Sequence, residues 1–545
     1  MIHYKKITKF ALLLSAICLM PRCTKLKEKL NSTLTNPEVS SSLGAAGTGL
    51  LLGAAYADLA GEFSSQSEIF ALEENTSDEA LVPTRGGDWD DNGVWRVLHN
   101  HTWNADHAYV LSVFNGLNKI NFDATNVLGF NPSASQAAEA RFLRALALYY
   151  LLDLYGQYPI RNPGDNLLLA PDVKSGAEAV DFIISELTTI LPDLPASNGP
   201  DKANPDAAKF LLMKCYLQKG TFVTRASPTF DPGDLAQVVT LGNEIITSNK
   251  YSYTPNYFDN FTPTNHSSKE AIFLYPNTGG VGTNHAGVEA RWNMTLHYNS
   301  YTPNNPNAGW NGFSTISDFY NSFNVTAVPT AFGPPDTILD TRLGGRITSN
   351  LLSTKTSGIR PGFLVGQQYN ENGVPIKDRQ GHPLAYTPQI SPDQIELGTN
   401  LEVTGIRVVK YVPDYAYYGG PAGNDLMIFR YPDVVLMVAE AKLRINPADA
   451  TALTMVNDLR VARGAAPLVT LPLVNTANVD DPKTLLAERG RELYWEGIRR
   501  TDLLRFGVYL VPWGLKPTDD PKNLVFPVPS QALAANPNLK QNTGY

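Results

Sequence analysis

The sequence predicts a mainly α-helical protein, built as a tetratricopeptide-like scaffold of helical hairpins with a large, irregular, loop-rich insertion. Apolar residues recur at helical spacing in the first and last parts of the chain and lose that spacing in between. The 545 residues are 43% hydrophobic and 18% charged, an ordinary globular mixture. This length fits one large domain or two or three ordinary ones. No clean repeat of 34 residues is present, so the likeness to tetratricopeptide arrays lies in the helix pairing.

The chain begins with the features of an export signal. Lys5, Lys6 and Lys9 precede an apolar run from Phe10 to Met20, which is too short to span a bilayer. Cys23 follows that run, and residues 1–22 are therefore predicted to be a signal peptide and Cys23 the lipidated N-terminus of a bacterial lipoprotein. Cys18 is the rival position for acylation, and a signal without lipidation is the simpler alternative.

The first scaffold region is predicted to cover residues 36–250. Its clearest helix runs from Ser135 to Gly156, with Ser133 or Ser135 as the N-cap and Gly156 as the stop signal. The same periodicity predicts three further helices in this region, at Gly176–Leu191, Pro205–Lys219 and Asp234–Ser248. A second scaffold region, residues 431–507, is predicted to contain helices at Asp433–Leu443, Ala448–Arg463 and Thr484–Arg505, and residues 508–545 form a C-terminal tail.

Between residues 251 and 430 the composition changes to Asn, Pro, Gly, Thr and aromatic residues. We expect irregular loops with short strands at Glu270–Leu274 and Arg407–Tyr411. A disordered linker is the alternative, but the Trp and Tyr content argues against it. Loops on a rigid scaffold are where binding residues concentrate, so this region is predicted to carry part of a ligand site.

Five segments together resemble one known family. The segments are Glu139–Gly156, Phe261–Phe273, Arg430–Ala441, Glu488–Gly507 and a tail that joins Phe526–Pro529 to Asn536–Asn542. They occur in the order, and over the span of the chain, that is typical of the SusD/RagB family of Bacteroidetes outer-membrane nutrient-binding lipoproteins. The start Cys23–Glu28 is similar to the first residues of acylated family members, which favours Cys23 over Cys18.

The resemblance implies a lipid-anchored protein on the outer surface of the outer membrane. Its partners would be a SusC-like TonB-dependent transporter and an oligosaccharide, and the family is not enzymatic. The net charge of -8 gives no overall electrostatic reason to bind nucleic acid, although a local basic patch could exist. The sequence carries no motif that implies a cofactor. An exported glycoside hydrolase and a scaffold that binds only protein are the alternative functions.

Two stretches supply the side chains that a saccharide site needs, which are flat rings for stacking and planar polar groups for hydrogen bonds. The first stretch, residues 78–103, offers Arg85, Asp88, Trp89, Asn92 and Trp95. The second offers Trp292, Tyr298, Trp310 and Asn311, with Tyr301 beside them. A packing role is the alternative for each of these tryptophans. For Trp495, inside a helical signature, packing is the prediction.

Two other clusters allow a metal interpretation. Residues 88–93 match the first half of a calcium loop, but His99 stands where the closing Glu would be. His99, His101 and His107 fall close together, yet without a nearby Cys we predict polar structural histidines and no metal.

Three glutamates, Glu488, Glu492 and Glu496, recur at intervals of four and need cationic partners. We predict a structural ion network, with catalytic carboxylates of a glycosidase as the alternative. The candidate partners are Arg489, Arg499 and Arg500 nearby and Arg141 or Arg144 at a distance. The three cysteines cannot form a disulfide framework, and Cys215 is predicted to be a buried, inert thiol.

Overall fold

The computed structural model describes residues 36–283, 285–300, 309–323, 340–344, 360–370, 374–417, 420–479, 481–517 and 519–545, with side chains from residue 47 onwards. The predicted signal peptide, Cys18, Cys23 and Tyr301 lie outside this set. Within the described ranges, no helix combines the length and the apolar character that a membrane span requires.

Helices dominate the structure, as the sequence predicts. Those before the insertion are α1 (Asn36–Ala57), α2 (Leu59–Ser64), α3 (Ile69–Glu74), α4 (Val94–His99), α5 (Ala108–Leu128), α6 (Ala134–Tyr155), α7 (Gly176–Ile190), α8 (Pro205–Val223) and α9 (Pro232–Thr247). The later ones are α10 (Ala290–Asn293), α11 (Ser317–Asn321), α12 (Tyr431–Ile445), α13 (Ala450–Ala462), α14 (Leu485–Leu493), α15 (Arg499–Arg505) and α16 (Ser530–Ala535). The long helices α1 and α5 extend the scaffold beyond the predicted set.

Successive helices pack as hairpins. Helix α5 packs on α6, α6 on α7, α7 on α8 and α8 on α9. Helix α12 then packs on α9 and on α13, so the array continues in space across the insertion. This arrangement confirms the predicted scaffold of tetratricopeptide-like hairpins.

Local signals set the ends of α6, the central helix. Ser133 accepts a hydrogen bond from the Gln136 amide, and the Gln136 side chain accepts one from the Ser133 amide, which forms a capping box. At the other end Gly156 adopts φ 72°, the left-handed conformation that terminates helices. The Ser133 cap and the Gly156 stop are therefore confirmed.

The predicted single helix Thr484–Arg505 is wrong, because the structure contains two helices, α14 and α15. Between them Trp495 has φ 58° and Gly497 has φ 72°. Their backbone amides donate to the buried carboxylates of Glu79 (3.1 Å) and Glu74 (2.6 Å). A tertiary contact thus replaces the helical hydrogen bonds at this point. Trp495 packs edge to face on Phe70, which agrees with its predicted packing role.

The strands are short and occur in pairs. They are β1 (Thr84–Arg85), β2 (Gln157–Ile160), β3 (Asp172–Ser175), β4 (Ala271–Tyr275), β5 (Gly362–Leu364), β6 (Gly366–Gln367), β7 (Ala385–Tyr386), β8 (Ile395–Glu396), β9 (Arg407–Val409) and β10 (Leu426–Arg430). β1 pairs with β8 in parallel, and the pairs β2–β3, β4–β10, β5–β9 and β6–β7 are antiparallel. Because β4 lies near the start of the insertion and β10 at its end, their pairing brings both ends of the insertion together on the scaffold.

The three glutamates of α14 and the following turn form the predicted ion network, but their partners differ from the predicted ones. Glu492 pairs with Arg430 and Arg463, each at 2.7 Å, and Glu488 with Arg342 at 2.8 Å. Glu496 pairs with Lys410 (2.6 Å) and Arg430 (2.7 Å). The predicted partners instead bind other acids: Arg489 pairs with Asp433 and Asp502, Arg499 with Asp78, Arg500 with Asp153, and Arg144 with Glu186. Tertiary packing, not spacing along the helix, chooses these partners.

Candidate functional site

The exposed ring of Trp310 and the partly exposed rings of Trp89 and Tyr298 form one continuous patch with Asp88 and Arg379, here called the aromatic surface. The Trp89 and Trp310 rings lie 6.5 Å apart, centroid to centroid. The indole N–H of Trp89 donates to the Trp310 carbonyl at 2.7 Å. Tyr298 joins the patch through its hydroxyl, which donates to the Asp88 carboxylate at 2.5 Å. Segments around residues 88, 300 and 379, which are far apart in the sequence, thus build a single surface.

A layer of buried aromatic rings supports Trp89. Its ring contacts Trp95 (5.6 Å between centroids, interplanar angle 61°) and Phe313 (5.5 Å, 88°). These are edge-to-face contacts, the arrangement that aromatic quadrupoles favour. Gly312 lies against the same indole, and a Cβ atom there would overlap the ring. The position of Trp89 therefore depends on a glycine in the opposite segment.

Trp310 is held by its backbone. Its amide donates to the Asn293 carbonyl at 2.6 Å, and the Asn311 amide donates to the Leu296 carbonyl at 2.8 Å. Gly309 makes this close approach possible, since a Cβ atom there would overlap the carbonyls of Leu296 and its neighbour. The Trp310 side chain remains 37% exposed. The segment is thus fixed while the ring is free to contact a ligand.

Tyr298 is sandwiched between a carboxylate and a guanidinium group. The Arg379 guanidinium lies over its ring at 4.0 Å from the centroid, and it is 3.7 Å from the Asp88 carboxylate. Burial is the main cause, and the hydrogen bond to Asp88 the second, of a pKa of Tyr298 that lies above its usual value. The hydroxyl therefore keeps its proton. Asp88 and Arg379 are about half exposed, with side-chain exposures of 50% and 47%.

A buried carboxylate, Glu402, holds this arrangement from below. It accepts hydrogen bonds from the Arg379 backbone amide (3.0 Å) and side chain (2.5 Å), and it contacts the His297 ring at 2.7 Å. Burial alone would raise the pKa of Glu402, but these hydrogen bonds hold it below its usual value. Burial lowers the pKa of His297 to about 4, so its ring is neutral at pH 7. Glu402 thereby fixes both Arg379 and the residue before Tyr298.

The structure places five of the predicted residues at the surface. Asp88, Trp89, Tyr298 and Trp310 belong to the aromatic surface, and Asn92 is exposed on the loop that carries Trp89. Trp89, Asn92 and Asn311 have φ between 51° and 59°, which is unusual for residues other than glycine. Such strained positions cluster at binding and catalytic sites.

The other four predicted residues are buried, so their side chains do not line the aromatic surface. Trp292 is 0% exposed and Trp95 only 2%. Arg85 donates to the Thr404 carbonyl (2.8 Å) and side chain (3.0 Å), and Asn311 accepts from Arg407 at 2.8 Å. The side chains of Trp95, Arg85 and Asn311 contact the loops of the site from behind.

Sequence reasoning missed Arg379. It lies in a tight turn in which Asp378 accepts hydrogen bonds from the amides of Gln380 (2.9 Å) and His382 (2.8 Å). The segment from Asp378 to Gly381 has the composition of a turn. An arginine at the tip of such a turn is the sequence signal that could have marked Arg379 as a candidate binding residue. Nothing local indicated that this turn reaches Tyr298.

The two clusters with a possible metal role have other partners. In the 88–93 loop, Asp90 pairs with Arg96 at 2.9 Å and Asp91 accepts from the Trp95 indole at 2.8 Å. His99 and His107 contact the carbonyls of Gly514 and Val94, both at 3.1 Å. Among the residues described by the structure, no group of three His, Cys, Asp or Glu side chains is placed to hold a metal ion.

The aromatic surface has the chemistry to hold a neutral ligand that has both C–H faces and hydroxyl groups. The two indoles and the phenol offer flat apolar faces, and Asp88, Asn92 and Arg379 offer planar hydrogen-bonding groups around them. Acid and base are balanced at its edge, where Asp88 and Arg379 lie 3.7 Å apart. It therefore carries no excess of positive charge for a phosphate.

Comparison with known proteins finds similarity to one family. The model of the SusD family matches residues 269–520. The starch-binding protein SusD of Bacteroides thetaiotaomicron is 26% identical over 516 residues, which cover 89% of this chain and 86% of that relative.

Solved structures share the fold over nearly the whole chain. A SusD superfamily protein from Parabacteroides distasonis has a TM-score of 0.67 at 19% identity, covering 94% of this chain and 100% of the other. Surface glycan-binding protein A from Bacteroides uniformis has a TM-score of 0.65 at 16% identity, covering 91% and 99%. The ordered motifs, the match of the family model and the shared fold together show that the chain is similar to proteins of the SusD family over most of its length.

Proposed function

We propose that the protein binds neutral oligosaccharides at the aromatic surface and does not cleave them. The observation that carries this proposal is the convergence of Trp89, Trp310 and Tyr298 on one face, ringed by Asp88 and Arg379. Stacking of sugar C–H faces on the rings and hydrogen bonds from the polar groups would supply the affinity. Relatives named for binding starch, laminarin and surface glycans support a saccharide as the ligand class.

The glutamates of α14 and the following turn do not support the alternative of a glycoside hydrolase. The Glu496 side chain is buried, and its carboxylate forms ion pairs with Arg430 and Lys410. Burial would raise the pKa of Glu496, but Arg430 and then Lys410 hold it below the usual value, opposite to what a general acid needs. Glu488 and Glu492 are equally enclosed by arginines.

We further propose that the protein is anchored at the cell surface through an acylated Cys23 and that it delivers the bound glycan to a SusC-like TonB-dependent transporter. These proposals rest on the family and on the sequence before residue 36. Labelling of growing cells with a radioactive fatty acid tests the anchor. The native protein should take up label and a Cys23→Ala variant should not, and label retained by that variant would contradict the assignment.

The binding proposal is tested by affinity electrophoresis in gels that contain starch, laminarin or another neutral glycan from a panel. Trp89→Ala combined with Trp310→Ala should weaken retardation at least about tenfold in apparent affinity, equal to about 1.4 kcal/mol. Tyr417→Ala is the matched control, because its ring is 45% exposed but lies outside the aromatic surface. If the double variant is retarded as strongly as the native protein, the aromatic surface is not the glycan-binding site.

A further inference from the structure

A second concave site lies on the helical scaffold, away from the aromatic surface. It is a groove of about 450 Å³ between helix α5 and the loop 161–171 that connects β2 to β3. Tyr109 at the start of α5 packs against Trp95, at 4.8 Å between centroids. Phe122, in the wall of the groove, lies thirteen residues after Tyr109 in the same helix. The groove is therefore about 20 Å along α5 from the end of the helix that supports the aromatic surface.

Apolar groups form much of the groove. Its walls include Leu51, Phe122, Phe130, Ile160 and Leu167. Phe122 is 40% exposed and Leu167 is 61% exposed. The volume lies within the range of small-molecule sites, roughly 300 to 1,000 Å³. The groove thus offers ring and aliphatic faces to a bound ligand.

Four side-chain amides also line the groove, those of Asn118, Asn121, Asn126 and Asn162. The Asn118 and Asn121 amide groups donate to the carbonyls of Phe114 (2.8 Å) and Pro159 (3.0 Å). Within the described part of the chain, the amide oxygens of Asn118 and Asn121 have no hydrogen-bond partner. Asn121 is only 7% exposed, so a ligand that brings a hydroxyl donor to it would offset the cost of a buried, unpaired acceptor.

The charged groups of the groove maintain the shape of its loop. Arg161 donates to the carbonyls of Asn166 (3.2 Å) and Leu169 (2.5 Å). The Asp165 carboxylate accepts a hydrogen bond from the backbone N–H of Asn162 at 2.7 Å. One cation and one anion leave the groove without excess charge, which does not suit a phosphate. An acyl chain lacks the donors that the amide oxygens need.

We propose that this groove is a second saccharide site, which takes a short stretch of neutral pyranose units. Phe122 supplies a stacking face, and the amides supply hydrogen bonds at several points along the groove. The proposal rests on the proposed glycan-binding function, but it depends on side chains that the aromatic surface does not use. Failure at one site can therefore be told from failure at the other.

The test uses saturation-transfer NMR with the methyl pyranosides of glucose, galactose, mannose and xylose as probes. The protein carries Trp89→Ala and Trp310→Ala, so that the aromatic surface is disabled. We expect at least one probe to show transfer, and addition of Phe122→Ala to reduce that signal about fivefold, within the usual range of one ring contact. Leu168→Ala is the control, because this side chain is in the same loop and 93% exposed but does not line the groove.

Three results would overturn the second site. One is absence of transfer from every pyranoside in the Trp89→Ala, Trp310→Ala protein, and another is transfer that Phe122→Ala leaves unchanged. The third is transfer from N-acetyltyrosinamide with none from the sugars, which would assign the groove and its exposed leucines to a protein partner. Asn126→Ala, at a half-exposed position, provides a second variant should Phe122→Ala lower the melting temperature.

Discussion

At the residue scale, the aromatic surface depends on conformations and close approaches that few residue types permit. Trp89 and Asn92 both have positive φ, and a third such residue, Asn311, follows Trp310 directly. Each of these conformations costs free energy, of order 1 to 3 kcal/mol, which the surrounding contacts must offset. The Trp95 ring and the Arg407 hydrogen bond to Asn311 provide such contacts. The buried residues around the site are therefore as necessary as the exposed rings.

Gly312→Ala tests this dependence. Because the new Cβ would overlap the Trp89 ring, we expect Trp89 to be displaced and glycan affinity to fall about tenfold, while the helical scaffold stays folded. Isothermal titration with a glycan that binds the native protein, together with circular dichroism, measures both effects. Gly53→Ala is the control, since nothing lies within 4 Å of the added atom. Native affinity in Gly312→Ala would show that Trp89 does not need its present position.

At the element scale, the break between α14 and α15 shows how a tertiary contact overrides helix propensity. The amide of Trp495 donates to Glu79, in the buried segment after α3, and the amide of Gly497 donates to Glu74, the last residue of α3. The same stretch leads into β1 and then into the loop of Trp89. The interrupted helix therefore joins the C-terminal part of the scaffold to the start of the binding loop.

Gly497→Ala should destabilise the protein by about 1 to 2 kcal/mol, since alanine at φ 72° is strained. The added Cβ would have only ordinary contact, with Ile69 at 4.0 Å, so the loss would report backbone strain alone. Denaturant unfolding followed by fluorescence gives the free energy. Gly61→Ala in helix α2, with nothing within 4 Å of its Cβ, should not show this loss. An equal effect of the two substitutions would contradict the strain argument.

At the scale of the whole molecule, an ion network connects the two scaffold regions with the insertion. Glu492 of α14 meets Arg463, which follows α13, and Arg430 at the end of the insertion. Burial would raise the pKa of Glu492, but Arg463 and Arg430 hold it at about 2. Removal of one member of a buried pair leaves the partner charges without compensation.

Glu492→Gln should therefore lower the free energy of unfolding by about 3 kcal/mol or more. The comparison is Glu178→Gln, which removes the pair between Lys174 and the exposed Glu178 side chain, a surface pair of a type that contributes under about 1 kcal/mol. Urea titrations of the two variants and the native protein measure the difference. Similar losses in both variants would mean that the buried network has no special weight.

The buried pair Glu74 and Glu79 predicts a pH dependence of opposite sign to that of Glu492. Burial raises the pKa of Glu74 to about 7, and burial with the Glu74 charge raises that of Glu79. Between about pH 4.5 and 7, Glu74 is therefore protonated in the folded state and ionised in the unfolded state. The contribution of Glu74 to stability is consequently lost as pH rises from 4.5 to 7, at up to about 1.4 kcal/mol per pH unit.

Glu74→Gln should remove this dependence, so that the stability of the variant relative to the native protein rises with pH between 4.5 and 7. Unfolding free energies at several pH values, each at constant ionic strength, give the slope. Glu440 is equally buried, but there Arg505 and Arg444 outweigh the effect of burial and hold the pKa below its usual value, so Glu440→Gln should show no such slope and serves as the control. A constant difference between native protein and Glu74→Gln across this range would exclude proton uptake by the pair.

The sequence by itself determined most of the scaffold, the family motifs and the existence of an ion network. Helical periodicity, the Ser133 cap and the Gly156 stop depend on neighbours a few residues away, so they are visible in the chain. The rings of Trp89 and Trp310 were among the four tryptophans predicted to bind, with Trp95 and Trp292, because their local composition is that of a ligand loop.

Only the tertiary structure decided which of the candidate rings face outwards and which partners the charges take. Trp89 and Trp95 come from one short stretch, yet the first is partly exposed and the second is buried under it. Arg379 reaches Tyr298, and Arg463 reaches Glu492, across contacts that no spacing along the chain encodes. Exposure and pairing are set by which surfaces pack together, and packing joins segments hundreds of residues apart.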